Sequence, residues 1–366
     1  MVEEPVDGGT GVGRATDQPW SADSGGGSSS TGSAKTRNIE RALVSATGVA
    51  AFIPLLALGA MVVILLFEAW PAIRFNGLGF FTSSNWTIGS LYGGIIHKGG
   101  IAHLADAHYG AWPLIVGTLL TAGIALLIGL PVAVGAAILI VEKLPNRIGS
   151  IVGFCLEILA GVPSAVIGLW GVLAFGPWLA AHLYPVLNHL PNVPVLNVFR
   201  GSVSSAGLGL LTGGLVLAAM IVPIIAATTR DLLRQVPETT KEGAQALGMT
   251  DAEVFRTVQA RWVRTGIIGA AVLGLGRALG ETIAIALICG GIIALPHNAY
   301  SAMTTIAATI VLQLDAALSD PTGLAVKSLA EAALVLFVIT LATNLVARLI
   351  VRRSAAGASL PVGAGF

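Results

Sequence analysis

Apolar residues fall in six long runs separated by polar segments, at about 43–67, 114–141, 148–175, 208–229, 265–294 and 328–351. Each run is long enough to cross a hydrocarbon layer of about 30 Å as a helix rising about 1.5 Å per residue. The first run contains Pro54, and the third is interrupted by Gly161, Val162 and Pro163. Short strands of alternating polarity, the signature of a membrane β-barrel, are absent. The pattern therefore predicts an all-α polytopic membrane protein with six transmembrane helices.

The polar segments assign sides. Arg37 and Arg41 precede the first run, Lys143 and Arg147 separate the second from the third, and Arg348, Arg352 and Arg353 follow the sixth. Arg230, Arg234, Lys241, Arg256, Arg261 and Arg264 lie between the fourth and fifth runs. The alternate loops hold only Arg74, Lys98, Arg200 and Lys327, so the positive-inside rule puts both termini in the cytoplasm. All six histidines fall in the expected external loops, as solvated polar residues with no thiol or carboxylate cluster beside them. The stretch DSGGGSSSTGS at 23–33 has no apolar period, and 1–38 is expected to be a disordered cytoplasmic tail. It lacks the basic start and apolar core of a secretory signal. The membrane-spanning body is expected over 39–353, with a short tail at 354–366.

Composition agrees with this picture. The chain of 366 residues is 55% hydrophobic and 11% charged, against roughly 25% charged for a soluble domain. A net charge of +1 gives no basic field for nucleic acid. Cys155 and Cys289 both lie in apolar runs and form no CxxC, so neither a disulfide framework nor a zinc site is expected.

The segment between the fourth and fifth runs reads VPETTKEGAQALGMTDAEVFRTVQARWVRTG over 236–266. Pro237 suits a first helical turn, with Glu238 and Glu242 following in its opening turns. Gly248 is placed to stop that helix, and Thr250 with Glu253 forms a capping box that opens a second short helix. Glu242-Gly243-Ala244, three residues, then Gly248 resembles the E-A-A-x-x-x-G signature of ABC importer permeases. The resemblance implies that about 236–262 is a coupling loop that docks in a groove of an ATPase subunit. Gly243 stands where the family has alanine, and Val258-Gln259-Ala260-Arg261 stands where it has I-x-L-P. No G-x-x-x-x-G-K-[ST] loop occurs in the sequence, so ATP would be hydrolysed by another chain.

The fifth run contains GLGRALGET at 274–282. Arg277 lies 13 residues beyond Arg264, which at about 1.5 Å per residue is about 20 Å into the membrane. Glu281, four residues on, falls on the same face. Charges at that depth are costly unless paired or hydrated, and they mark transport pathways. Arginine suits an oxyanion because its planar fork holds two oxygens and stays charged. The Glu281 carboxylate could accept a hydrogen bond from the protonated oxygen of hydrogen phosphate, a proton that sulfate lacks. Glu157 in the third run is a possible third member; Glu331 near the external end of the sixth run is expected to be wet, and Glu68 interfacial.

GLGRALGET is similar to the corresponding stretch of phosphate ABC importer permeases. EAWPAIRFNGLGFFTSSNW at 68–86, YGAWPLIVGTLL at 109–120 and LAGVPSAVIGLWG at 159–171 resemble the PstC-type subunit of that family. The resemblance implies a type I (MetI-like) importer permease that forms half of a phosphate pathway and works by alternating access. Its implied partners are a PstA-type second permease, an ATPase dimer, an extracytoplasmic phosphate-binding protein and the bilayer. The chain itself would bind no cofactor; ATP and Mg²⁺ would be used by the ATPase. A sulfate or molybdate importer and a stand-alone ion-coupled carrier are the alternatives.

Overall fold

The computed structural model describes residues 30–189, 191 and 196–356. Helix α1 (Ser30–Asn76) contains the boundary expected for the tail at residue 38; the rest of that tail, and 357–366 of the C-terminal one, lie outside the described residues. The chain divides into two units, one ending at Ala60 and one beginning at Met61. The described side chains of the first unit, from Leu43 to Ala60, are exposed and almost all apolar. The second unit holds the end of α1 and every later element.

After α1 come a one-turn helix α2 (Gly79–Thr82) and four strands: β1 (Trp86–Thr87), β2 (Ser90–Lys98), β3 (Ile101–Ala105) and β4 (His108–Tyr109). Strands β2 and β3 form an antiparallel hairpin with Lys98 opposite Ile101. Its two-residue turn is Gly99–Gly100, with φ of +59° and +81°, the left-handed pair that a tight hairpin turn requires. This hairpin has no counterpart in the run-based reading, although two glycines between IIHK and IAHL are its sequence signal.

The helices that come next are α3 (Trp112–Lys143), α4 (Asn146–Ala160), α5 (Ser164–Asn188), α6 (Leu210–Arg234), α7 (Glu238–Ala246), α8 (Asp251–Leu279), α9 (Ile283–Ile288), α10 (Ile306–Leu318) and α11 (Leu324–Ala356). Among the described residues six helices are long and apolar enough to cross a membrane: α1, α3, α5, α6, α8 and α11. Two of the expected spans are redrawn. The third was expected over 148–175, but the chain breaks at Gly161–Pro163, and the crossing helix is α5. Pro163 lacks an N–H and biases Val162 toward extended backbone, so one helix cannot run through. The fifth was expected over 265–294, but α8 ends at Leu279 and a separate six-residue helix follows.

Helix α6 is the centre of the bundle, packed lengthwise on α3 and also against α8 and α4. Glycines let the backbones approach. A Cβ on Gly213 would meet Cys289 Sγ, and one on Gly274 would lie 2.7 Å from Ile225 Cδ1. The core there is aliphatic: Leu217, Ile221, Ile225, Ile285 and Ile288 are almost fully enclosed. A second cluster joins the hairpin to the helices, with Phe80, Leu104, Tyr109, Leu114, Ile306 and Leu329 buried together. Desolvation holds the Tyr109 phenol well above its ordinary range. The bundle thus has a hairpin end and an opposite end, where α7 and the loop after it lie.

Candidate functional site

Arg277 sits in the last turn of α8. The Gly280 amide donates to Arg277 O at 3.2 Å, and Thr282 Oγ1 donates to Gly280 O at 3.1 Å, which closes the helix end. Glu281 therefore lies in the link between α8 and α9, not one turn along the same helix. Among the described residues no ion pair or hydrogen bond joins the two side chains, which corrects the expectation of a facing pair. Glu281 is buried, and its carboxylate has no partner among the described residues. Arg277 is exposed and lines a cavity of about 1090 Å³ between α8 and α11. Asn344 and Arg348, one turn apart on α11, line the same cavity. In the sequence Arg348 reads as a terminal basic residue; its spacing of four from Asn344 is the signal that puts both on one helix face.

Glu157 belongs elsewhere. It is on α4 and does not line the Arg277 cavity. Its Oε1 accepts from Arg230 Nη2 of α6 at 2.8 Å, and Asp231 Oδ1 accepts from the same guanidinium at 2.9 and 3.0 Å. Arg230, 8% exposed, is thus a clamp between α4 and α6 and not a loop residue. Gly153 makes room for it, since a Cβ there would run into Arg230 Nη1. Glu331 is also not wet: it is 3% exposed and accepts from Asn76 Nδ2 at 2.7 Å, tying α11 to the end of α1.

The segment after α6 has the expected turn chemistry. Gly248 takes φ of +87°, its amide donates to Gln245 O at 2.9 Å, and the Met249 amide donates to Ala244 O at 3.3 Å. That pair of bonds is the Schellman closure, which needs a residue free to be left-handed. The capping box is present, with Thr250 N and Thr250 Oγ1 both donating to Glu253 Oε2 at 2.8 and 2.9 Å. The second short helix is not separate, however. A π turn at Phe255–Gln259 joins it to the rest of α8, so it begins the fifth crossing helix. Of the signature residues, Ala244 is buried, whereas Glu242, Gly243 and Gly248 are exposed. Leu247 beside them is 83% exposed. Lys241 Nζ reaches Glu238 at 3.1 Å and Glu142, in the last turn of α3, at 3.8 Å. The loop is thereby tied to α3 as well as to the helices it connects.

Two of the histidines pack on aromatic rings. His103 packs on Phe75 with centroids 4.8 Å apart, and His182 stacks on Trp178 at 5.4 Å. Among the described residues no group of three metal-ligating side chains assembles.

Residues 129–356 match the family described as "Binding-protein-dependent transport system inner membrane component". The phosphate transport system permease protein PstC 1 of Mycobacterium tuberculosis is 57% identical over 321 residues, covering 87% of this chain and 94% of that protein. The phosphate transport system permease protein PstC of Haemophilus influenzae is 38% identical over 316 residues, covering 86% and 94%. A chain in the crystal structure of a bacterial alginate ABC transporter, in complex with an alginate pentasaccharide-bound periplasmic protein, aligns with a TM-score of 0.49 at 17% identity, covering 87% of this chain and 96% of that one.

Proposed function

We propose that this chain, which belongs to the binding-protein-dependent transport system inner membrane component family, is a transmembrane permease subunit of an ATP-driven importer of inorganic phosphate. The observation that carries the anion chemistry is Arg277, an exposed guanidinium without a carboxylate partner among the described residues, on the wall of a large cavity. A fixed cation in such a place binds an oxyanion through two N–H donors, and its charge does not depend on pH. Glu281, buried and without a partner among the described residues, would accept a hydrogen bond from the P–OH of hydrogen phosphate as the cavity changes shape. Identity of 57% to a chain named as a phosphate transport permease supports phosphate over other oxyanions.

The partners follow from the same reading. A PstA-type permease would complete the pathway, an extracytoplasmic phosphate-binding protein would deliver substrate at the hairpin end, and an ATPase dimer would grip the loop around Gly248. Both termini and that loop would be cytoplasmic. The exposed Leu247 and the signature residues Glu242, Gly243 and Gly248 offer the ATPase an apolar knob on a rigid turn. ATP binding would open the cavity outward, and hydrolysis would reset it inward. The test is uptake of labelled phosphate into vesicles that hold this chain with its partners, with and without ATP, in competition with sulfate and molybdate. ATP-dependent phosphate uptake resistant to both competitors is expected. Uptake of sulfate or molybdate in preference would overturn the substrate assignment, and uptake without any ATPase would overturn the importer class.

A further inference from the structure

The wall of the Arg277 cavity that belongs to α11 carries a second guanidinium. Apart from Arg277, Asn344 and Arg348, every residue lining that cavity is apolar or glycine. Among the described residues no carboxylate holds either arginine. The space beside Gly269 and Gly276 of α8 is open, since a Cβ on either meets no atom within 4 Å. An arginine that only supports packing is held by acids, as Arg230 is held by Glu157 and Asp231. Two guanidinium groups on one apolar-walled cavity repel each other and lack counter-ions, an arrangement that is stable when water or an anion fills the space.

We infer that Asn344 and Arg348 form, with Arg277, a second station for the transported oxyanion, on the exit side of Arg277. The inference rests on the proposed import of phosphate. Helix α11 runs antiparallel to α8, from the hairpin end toward the end that holds α7. An anion leaving Arg277 in that direction meets the Asn344 amide and then, about 6 Å further along the helix, Arg348. A single guanidinium in an apolar cavity would hold its anion too long. A second one draws the anion onward, and neutral Asn344 bridges the step with a hydrogen bond, the multi-site logic by which pores bind ions without trapping them.

Two measurements on the assembled complex test this. In a Cys155→Ser background, which removes the exposed thiol and leaves buried Cys289, Asn344→Cys is treated with anionic and cationic methanethiosulfonates. The anionic reagent is expected to react several-fold faster, phosphate to slow it, and Arg348→Gln to abolish the preference. Absence of labelling throughout the ATP cycle, or faster reaction with the cation, would overturn the inference whatever the substrate. In vesicles, Arg348→Gln is expected to lower maximal phosphate uptake about ten-fold, the loss of one charged hydrogen bond, and Arg348→Lys to recover part of it. Uptake by Arg348→Gln equal to wild type would overturn the second station alone. A wild-type complex that moves no phosphate yet labels with anion preference would overturn the phosphate reading and keep the anion path.

Discussion

Two arginines, Arg230 and Arg277, project from helices that pack against each other, and they live in opposite circumstances. Arg230 is buried, accepted by two carboxylates, and has a glycine cleared for it on the neighbouring helix. Arg277 is exposed, has no acid partner among the described residues, and faces a cavity. Residue type and position within an apolar run do not separate them; the partners do. A guanidinium whose donors are already used can hold helices together. One whose donors are free can bind something that arrives and leaves.

The hardest blow to this contrast should fall on Arg277. Arg277→Gln is expected to lower phosphate uptake by about a hundred-fold or more, since two charged hydrogen bonds at about 1.5–3 kcal/mol each are lost. Assembly with the partners should be unchanged, by co-purification. Adding Glu281→Gln should not rescue uptake, because the two groups are not paired; a restored double variant would return Arg277 to a packing role.

Next is a loss of uptake with both arginines intact. Gly248→Val forces a β-branched residue into left-handed backbone, at a cost of roughly 1–2 kcal/mol, and deforms the exposed tip. ATPase recovered with the complex, or uptake per ATP hydrolysed, should fall severalfold. Normal values for both would remove the docking role from this loop.

Arg230→Met should act on stability, not on substrate. Because Glu157 and Asp231 are more than half exposed, the expected cost is about 1–2 kcal/mol, below the roughly 3–5 of a fully buried pair. It would be read as a lower thermal midpoint, with most of it recovered by combining Arg230→Met with Glu157→Leu. A change in competition by other oxyanions would instead bring Arg230 into the pathway. The smallest effect is Gly153→Ala, whose methyl presses on the end of Arg230. A loss of about 1 kcal/mol or less is expected, with uptake per assembled complex unaltered.

Much of this architecture was readable from residue order, for definable reasons. Long apolar runs report contact with lipid, so six crossing helices could be counted. Turn chemistry is local, so Gly248 and the Thr250–Glu253 box were visible within a few residues of each other. Helix continuity is another matter. Pro163 marked an interruption of the third run, but apolar composition is the same on both sides of Gly280, so the break there vanished into the fifth run, and with it the true relation of Arg277 to Glu281. The Glu157–Arg230 contact joins residues 73 apart, and no local signal marks it. Asn344 and Arg348 were hidden because a basic residue near the end of a run reads equally well as an anchor.

The end of α8 at Leu279 has a consequence for how firmly the proposed site would hold an anion. The backbone dipoles of a helix stay aligned along its axis even where its last carbonyls accept bonds from the turn that follows, and they amount to about half a negative charge at that terminus. Arg277 occupies that last turn. Its guanidinium is therefore steadied by a fractional charge spread over backbone oxygens, which fold with the helix and cannot be protonated. A full carboxylate would outcompete a passing phosphate, and nothing at all would leave the cation stranded. A half charge lies between those extremes: enough to keep the arginine in the membrane, and little enough that, in the proposed pathway, an oxyanion would take its place and move on.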